Sequence, residues 1–162
     1  MAQLPEFLRT EVYHPLTVHF PIVLLLIATA FKVIALFVKR EVWQLGGRIL
    51  LAAGVIAAWA AIYTGDLADG IVSRQICDPT VLYSHEQFAY TVAWLFTAAA
   101  FVEGLSLTVR KLGGKWVSIS IVLLMLAGSG FLTYVGHLGA KLVYQQAAGV
   151  YVPSKDCSEF EN

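Results

Sequence analysis

Four long apolar runs alternate with short polar segments along this chain. They extend from about Pro15 to Val38, from Gly46 to Gly65, from His85 to Val109 and from Trp116 to His137. A helix needs roughly 20 residues to cross a bilayer, and each run reaches that length. The pattern predicts an all-α fold: an integral membrane four-helix up-down bundle, forming one domain over residues 1–162 with no separate soluble module.

Composition agrees. Hydrophobic residues make up 58% of the chain and charged residues 14%, with a mean hydropathy of +0.70. Soluble domains run at about 45–50% apolar and about 25% charged. The formal net charge is zero, and no basic patch with interleaved aromatics occurs, which sets nucleic-acid partners aside.

The position of the charges gives an orientation. Lys39 and Arg40 follow the first run, with Arg48 just inside the second, and Arg110, Lys111 and Lys115 lie between the third and fourth. The 66–84 loop has Arg74 against Asp66, Asp69 and Asp78. Basic loops stay cytoplasmic. The expectation is therefore an N-out, C-out protein of the bacterial inner (cytoplasmic) membrane, with the 66–84 loop and the 138–162 tail periplasmic. The N-terminus has no secretory cleavage pattern, so the first run is expected to be retained as an anchor.

Cys77 and Cys157 both fall on the outer side, where an oxidising compartment favours a disulfide between them. Neither belongs to a C-x-x-C-H sequence, which excludes covalent c-type haem attachment.

The polar residues that interrupt the apolar pattern carry the chemistry. His14, His19, His85 and His137 come from three different runs, yet all fall at the outer end. A histidine in or at the edge of a membrane span is costly and usually functional. His14 and His19 are five residues apart, about 140° of helical rotation and roughly 7.5 Å of rise, so a regular helix would not aim both at one ion. Pro21 frees the carbonyl of Thr17, and a kink or late helix start is expected beside His19. The second run is rich in small residues, among them Gly54, Ala52, Ala53, Ala57, Ala58, Ala60 and Ala61, which suits close helix packing. Small residues also lie below two of the histidines: Ala89 and Ala93 under His85, and Gly130 under His137.

This histidine set suits haem b, which takes two axial imidazoles in a dry apolar slot. His19 and His85, on diagonal helices of an up-down bundle, are the expected clasp, with His137 as competing partner and His14 as a fourth ligand. One haem is expected rather than two, since two would crowd so small a bundle. Lys141 and Arg74 are the basic candidates for its propionates. Asp66 is a candidate hydrogen-bond acceptor behind a ligating imidazole. The alternatives are a zinc or copper site built from the same histidines with Asp66, and a non-haem accessory subunit of a membrane complex.

Two segments resemble a known family. His14-Pro15-Leu16-Thr17-Val18-His19-Phe20-Pro21-Ile22 is similar to the opening signature of a small bacterial membrane family catalogued as domain of unknown function 2231, and Gly136-His137-Leu138-Gly139-Ala140-Lys141-Leu142-Val143-Tyr144 to its closing signature. Thr64-Gly65-Asp66 fits the same pattern, whereas Ala147-Ala148 replace a more glycine-rich stretch. The resemblance implies a four-helix membrane domain associated with cytochromes, and His14, His19, Asp66, His85 and His137 are the matching polar residues.

The function expected from these readings is electron transfer by a b-type cytochrome-like subunit of a larger respiratory or photosynthetic complex. Its haem would sit near the periplasmic face, and no activity of its own is expected. The expected partners are the lipid bilayer, other subunits of a redox complex and a periplasmic c-type cytochrome, with quinone binding left open.

Overall fold

The computed structural model describes residues 9–38, 40–109 and 114–150, with Val152 and Lys155. All regular structure among them is helical: α1 (Thr10–Thr17), α2 (His19–Phe37), α3 (Glu41–Val72), α4 (Pro79–Thr108) and α5 (Lys115–Gln146). With α1 and α2 taken as one rod, four helices are long and apolar enough to cross a membrane.

The break between α1 and α2 falls at Val18, three residues before Pro21, where the proline leaves Thr17 without its helical donor. Val18 keeps helical torsions, so the rod is interrupted rather than turned aside.

The helices run further toward the histidine end than the apolar runs do. Helix α3 continues to Val72, α4 begins at Pro79, and α5 continues to Gln146. The expected 66–84 loop thus shrinks to a short turn. The cause is a change of pattern rather than its end. Ala68 and Val72 on α3, and Leu138 and Leu142 on α5, stay buried at helical spacing while polar residues take the other faces. Asp78 caps α4, its carboxylate accepting from the Thr80 amide at 2.9 Å and the Thr80 hydroxyl at 2.6 Å. The Thr80 hydroxyl and then its amide hold the Asp78 carboxyl below its ordinary pKa. Cys77 lies exposed in this turn; Cys157, its expected partner, is outside the described residues.

Helix α2 packs on α3 and α5, and α4 packs on the same two, which sets α2 and α4 on the diagonal. Contacts run in opposite order along α2 and α3, Leu25 against Gly54 and Lys32 against Gly47. A Cβ on Gly54 would stand 2.5 Å from Leu25 Cδ2, so that crossing requires glycine. The small residues of α3 divide: Gly54, Ala58 and Ala61 are buried in the bundle, while Ala52, Ala53 and Ala60 face out. Leu25, Phe96, Leu51, Ile121 and Met125 fill the centre. Phe20, Val23, Ile56, Phe101 and Leu123 are exposed, as lipid-facing positions would be.

The two hairpins, α1–α3 and α4–α5, repeat one another. Leu25 over Gly54 is matched by Phe96 over Gly128, with Leu25 and Phe96 both fully buried. The interval is 71 residues in the first helices (14 to 85, 25 to 96, 32 to 103) and 74 in the second (54 to 128, 65 to 139). Helix α2 packs on α5 as α4 packs on α3. The residues at 14 and 85 meet each other, as do those at 32 and 103. A local twofold axis therefore runs between the halves.

Candidate functional site

A cavity of about 370 Å³ opens between the rods at the histidine end. This lies within the roughly 300–1,000 Å³ of small-molecule sites. Its walls are mostly apolar, with Ile22, Leu25, Ala89 and Leu132 among them, and His14 and His85 reach it from the diagonal helices.

The two imidazoles are half-buried, with ring centroids 6.1 Å apart and planes at 88°. His14 Nδ1 donates to the Ala61 carbonyl at 3.0 Å, and His85 Nδ1 donates to the Val135 carbonyl at 3.1 Å. A carbonyl can only accept, so in each ring Nδ1 carries a proton, and the neutral form of each ring keeps its lone pair on Nε2. Ligating histidines are commonly fixed in this way. Metal–imidazole bonds of about 2 Å, with about 1 Å more to each ring centre, would place two rings about 6 Å apart around one ion.

The neighbouring motifs serve these rings. The Thr64 hydroxyl donates to the same Ala61 carbonyl at 3.0 Å and lies 2.7 Å from the Thr17 hydroxyl, tying α3 to α1 beside His14. A Cβ on Gly65 would come 3.1 Å from His14 Cε1, and one on Gly139 would come 3.3 Å from His85 Cε1. Both glycines leave room for an imidazole, and they are equivalent under the 74-residue interval. The closing signature therefore supports His85 through Gly139, with Gly136 also lining the cavity.

The remaining expected residues are distributed differently. His19 is exposed and reaches the cavity edge, and the imidazole beside His85 is that of His14. His137 is exposed and does not line the cavity; Gly130 beneath it lies against a separate hollow near Phe88 and Tyr134. Ala89 lines the cavity and Ala93 is buried in the core. Asp66 is at the rim, where it accepts from the Tyr90 hydroxyl at 3.4 Å, rather than behind an imidazole. Arg74 is exposed and Lys141 half-buried, and neither lines the cavity. The rim instead presents Asp66, Asp69 and Glu86, while Glu11 is buried beside it and bonded to Arg9.

Among the described residues no three of His, Cys, Asp and Glu converge on a common metal position. Two imidazoles alone fall short of the three or four protein ligands of a zinc site. They match a haem, which brings four nitrogens of its own and takes two axial ligands. The donor set and the small residues around it fit that group at the iron; the acidic rim is not the basic one expected for its propionates.

Lys32 and Glu103, absent from the expected site residues, form a buried ion pair at the opposite end of the bundle. Their signal was present: each is a charge inside an apolar run.

Residues 11–151 match the family described as "Predicted membrane protein (DUF2231)". No curated protein and no solved structure matches the chain.

Proposed function

The chain belongs to the DUF2231 family of predicted membrane proteins, and from that premise we propose that it is a b-type cytochrome-like electron-transfer subunit. His14 and His85, one from each half of the bundle, would hold one haem b between them. The observation that carries this reading is the pair of imidazoles with ring centroids 6.1 Å apart, each with Nδ1 committed to a backbone carbonyl. When bound, the haem supplies a one-electron couple. The chain's own part is to hold two neutral imidazoles in place and to keep water from the iron with apolar walls.

The up-down bundle has its basic loops in the cytoplasm and both termini in the periplasm. This sets the haem near the outer face of the bacterial inner membrane, where electrons pass to other subunits of a respiratory or photosynthetic complex or to a periplasmic c-type cytochrome. The acidic rim suits a cationic partner better than a quinone carbonyl.

A reduced-minus-oxidised absorbance spectrum, with pyridine haemochrome quantitation on protein purified from haem-sufficient cells, tests the proposal. A b-type α-band with one haem per chain is expected; absence of haem overturns it. The acidic rim also favours the alternative of a copper ion held by the same two imidazoles, which metal analysis of haem-free protein would reveal.

A further inference from the structure

Lys32 follows His14, and Glu103 follows His85, by five helical turns, roughly 27 Å. There a second polar cluster lies inside the apolar spans. Lys32 Nζ is 2.7 Å from Glu103 Oε2 and donates to Gln44 Oε1 at 2.9 Å, and Arg48 Nε donates to Glu103 Oε1 at 2.6 Å. Lys32 and Glu103 are 3% and 6% exposed, while the Arg48 side chain is 36% exposed. Two cations thus share one carboxylate. Taken alone, these three side chains carry one positive charge in excess, on Arg48 where the cluster opens to the surface; the nearest carboxylate on the same face of α3, the exposed Glu41, is seven residues away, about 10 Å along the axis.

The unused donors lie on one side of α3. A lysine can only donate, so Gln44 meets it with its carbonyl oxygen and keeps both amide N–H groups. Arg48 holds Glu103 through Nε, and among the described residues its two terminal nitrogens have no partner. Gln44 and Arg48 are four residues apart, hence neighbours one turn along the helix. The adjoining Leu45 and Ile49 are exposed apolar residues, so this side of α3 meets lipid. Arg48 is eight residues beyond Arg40, about 12 Å along the axis, with Trp43 between them. From that depth a long arginine reaches the headgroup level. The equivalent positions on α5 are Ser118 and Val122, so the repeated fold does not itself demand these donors.

We propose that Gln44 and Arg48 form a binding site for the phosphate group of an anionic membrane lipid, whose charge neutralises the excess on the Lys32–Glu103–Arg48 cluster. The planar guanidinium offers two N–H groups to two phosphate oxygens, and the Gln44 amide adds a third donor. The acyl chains lie along Leu45 and Ile49. This site is at the other end of the bundle from the haem reading and does not depend on it.

The test uses the full chain, delipidated in detergent and titrated with phosphatidylglycerol or with phosphatidylcholine of the same acyl chains. Thermal unfolding and native mass spectrometry give the readout. Phosphatidylglycerol should raise the unfolding midpoint and remain bound where phosphatidylcholine does neither, and Arg48→Gln should weaken its binding about tenfold or more. Equal response to both lipids overturns the proposal on the wild-type chain alone, so the result stands even if the variant does not fold. Equal binding by Arg48→Gln overturns it too. Inorganic phosphate reproducing the full shift, with no further gain from the lipid, would reassign the site to a free anion and overturn its lipid occupant.

Discussion

His14 and His85 meet across the diagonal of the bundle with ring centroids 6.1 Å apart and planes at 88°. Each is anchored to the second helix of its own hairpin, His14 to Ala61 and His85 to Val135. The pair is therefore positioned by both halves equally, and its consequences can be measured separately.

Replacing either imidazole should remove the haem. His14→Ala and His85→Ala are each expected to reduce haem content to background, while His137→Ala, changed on an exposed face, should keep the wild-type content. Pyridine haemochrome assay of the three purified variants decides between this pairing and one through His137.

The angle between the rings has its own signature. Near-perpendicular axial imidazoles leave two iron d orbitals almost degenerate, so the oxidised protein should give a highly anisotropic low-spin electron paramagnetic resonance signal. An ordinary rhombic low-spin spectrum would mean that the planes are close to parallel when the haem is bound.

Bulk at the two glycines should loosen the ligands without removing them. Gly65→Val and Gly139→Val push side chains into the spaces held by His14 and His85, and each should weaken haem binding by about 10–100-fold, the usual effect of disturbing a ligand's support. The corresponding alanine variants, with Cβ contacts of 3.1 and 3.3 Å, should lose less. Haem transfer to an excess of apomyoglobin would rank the four.

At the other end, the order of damage follows from the charges left behind. Glu103→Gln strands Lys32 and Arg48 together and should cost about 3–5 kcal/mol, as breaking a buried pair does. Lys32→Met leaves Glu103 still paired with Arg48 and should cost less. Unfolding midpoints in one detergent test the order, and a more damaging Lys32→Met would refute it.

Helix α5 ends on Ala147 at φ 54°, a left-handed conformation where glycine is normally preferred. Ala147→Gly should stabilise the chain by about 1 kcal/mol, the order of the strain relieved. The same thermal assay reads the change.

The four rods were legible because each apolar run reaches the length of a span, and the interruption before Pro21 followed from its missing N–H. Helix ends near the histidines were not, because burial at Ala68, Val72, Leu138 and Leu142 continues at helical spacing after the continuous apolar runs stop. The histidine end was visible as a set, yet the pairing depended on which ring finds a carbonyl and a glycine on the next helix. That information resides in Ala61, Gly65, Val135 and Gly139, residues with no chemistry of their own. The repeat was obscured because most equivalent positions differ in kind: Pro15 against Glu86, His19 against Tyr90, Asp66 against Ala140. Identity persists at His14 and His85, at Gly54 and Gly128, and at Gly65 and Gly139, where geometry leaves little choice.

The twofold relation bears differently on its two crossing points. Two separate, identical hairpins would be obliged to present the same side chain from both directions. For the proposed haem, which takes two like imidazoles, that obligation is harmless, and 14 and 85 are both histidine. Five turns away it would set ammonium against ammonium or carboxylate against carboxylate in an apolar interior. Lys32 facing Glu103 is therefore an arrangement closed to identical halves and open to these two, which share one polypeptide but not one sequence.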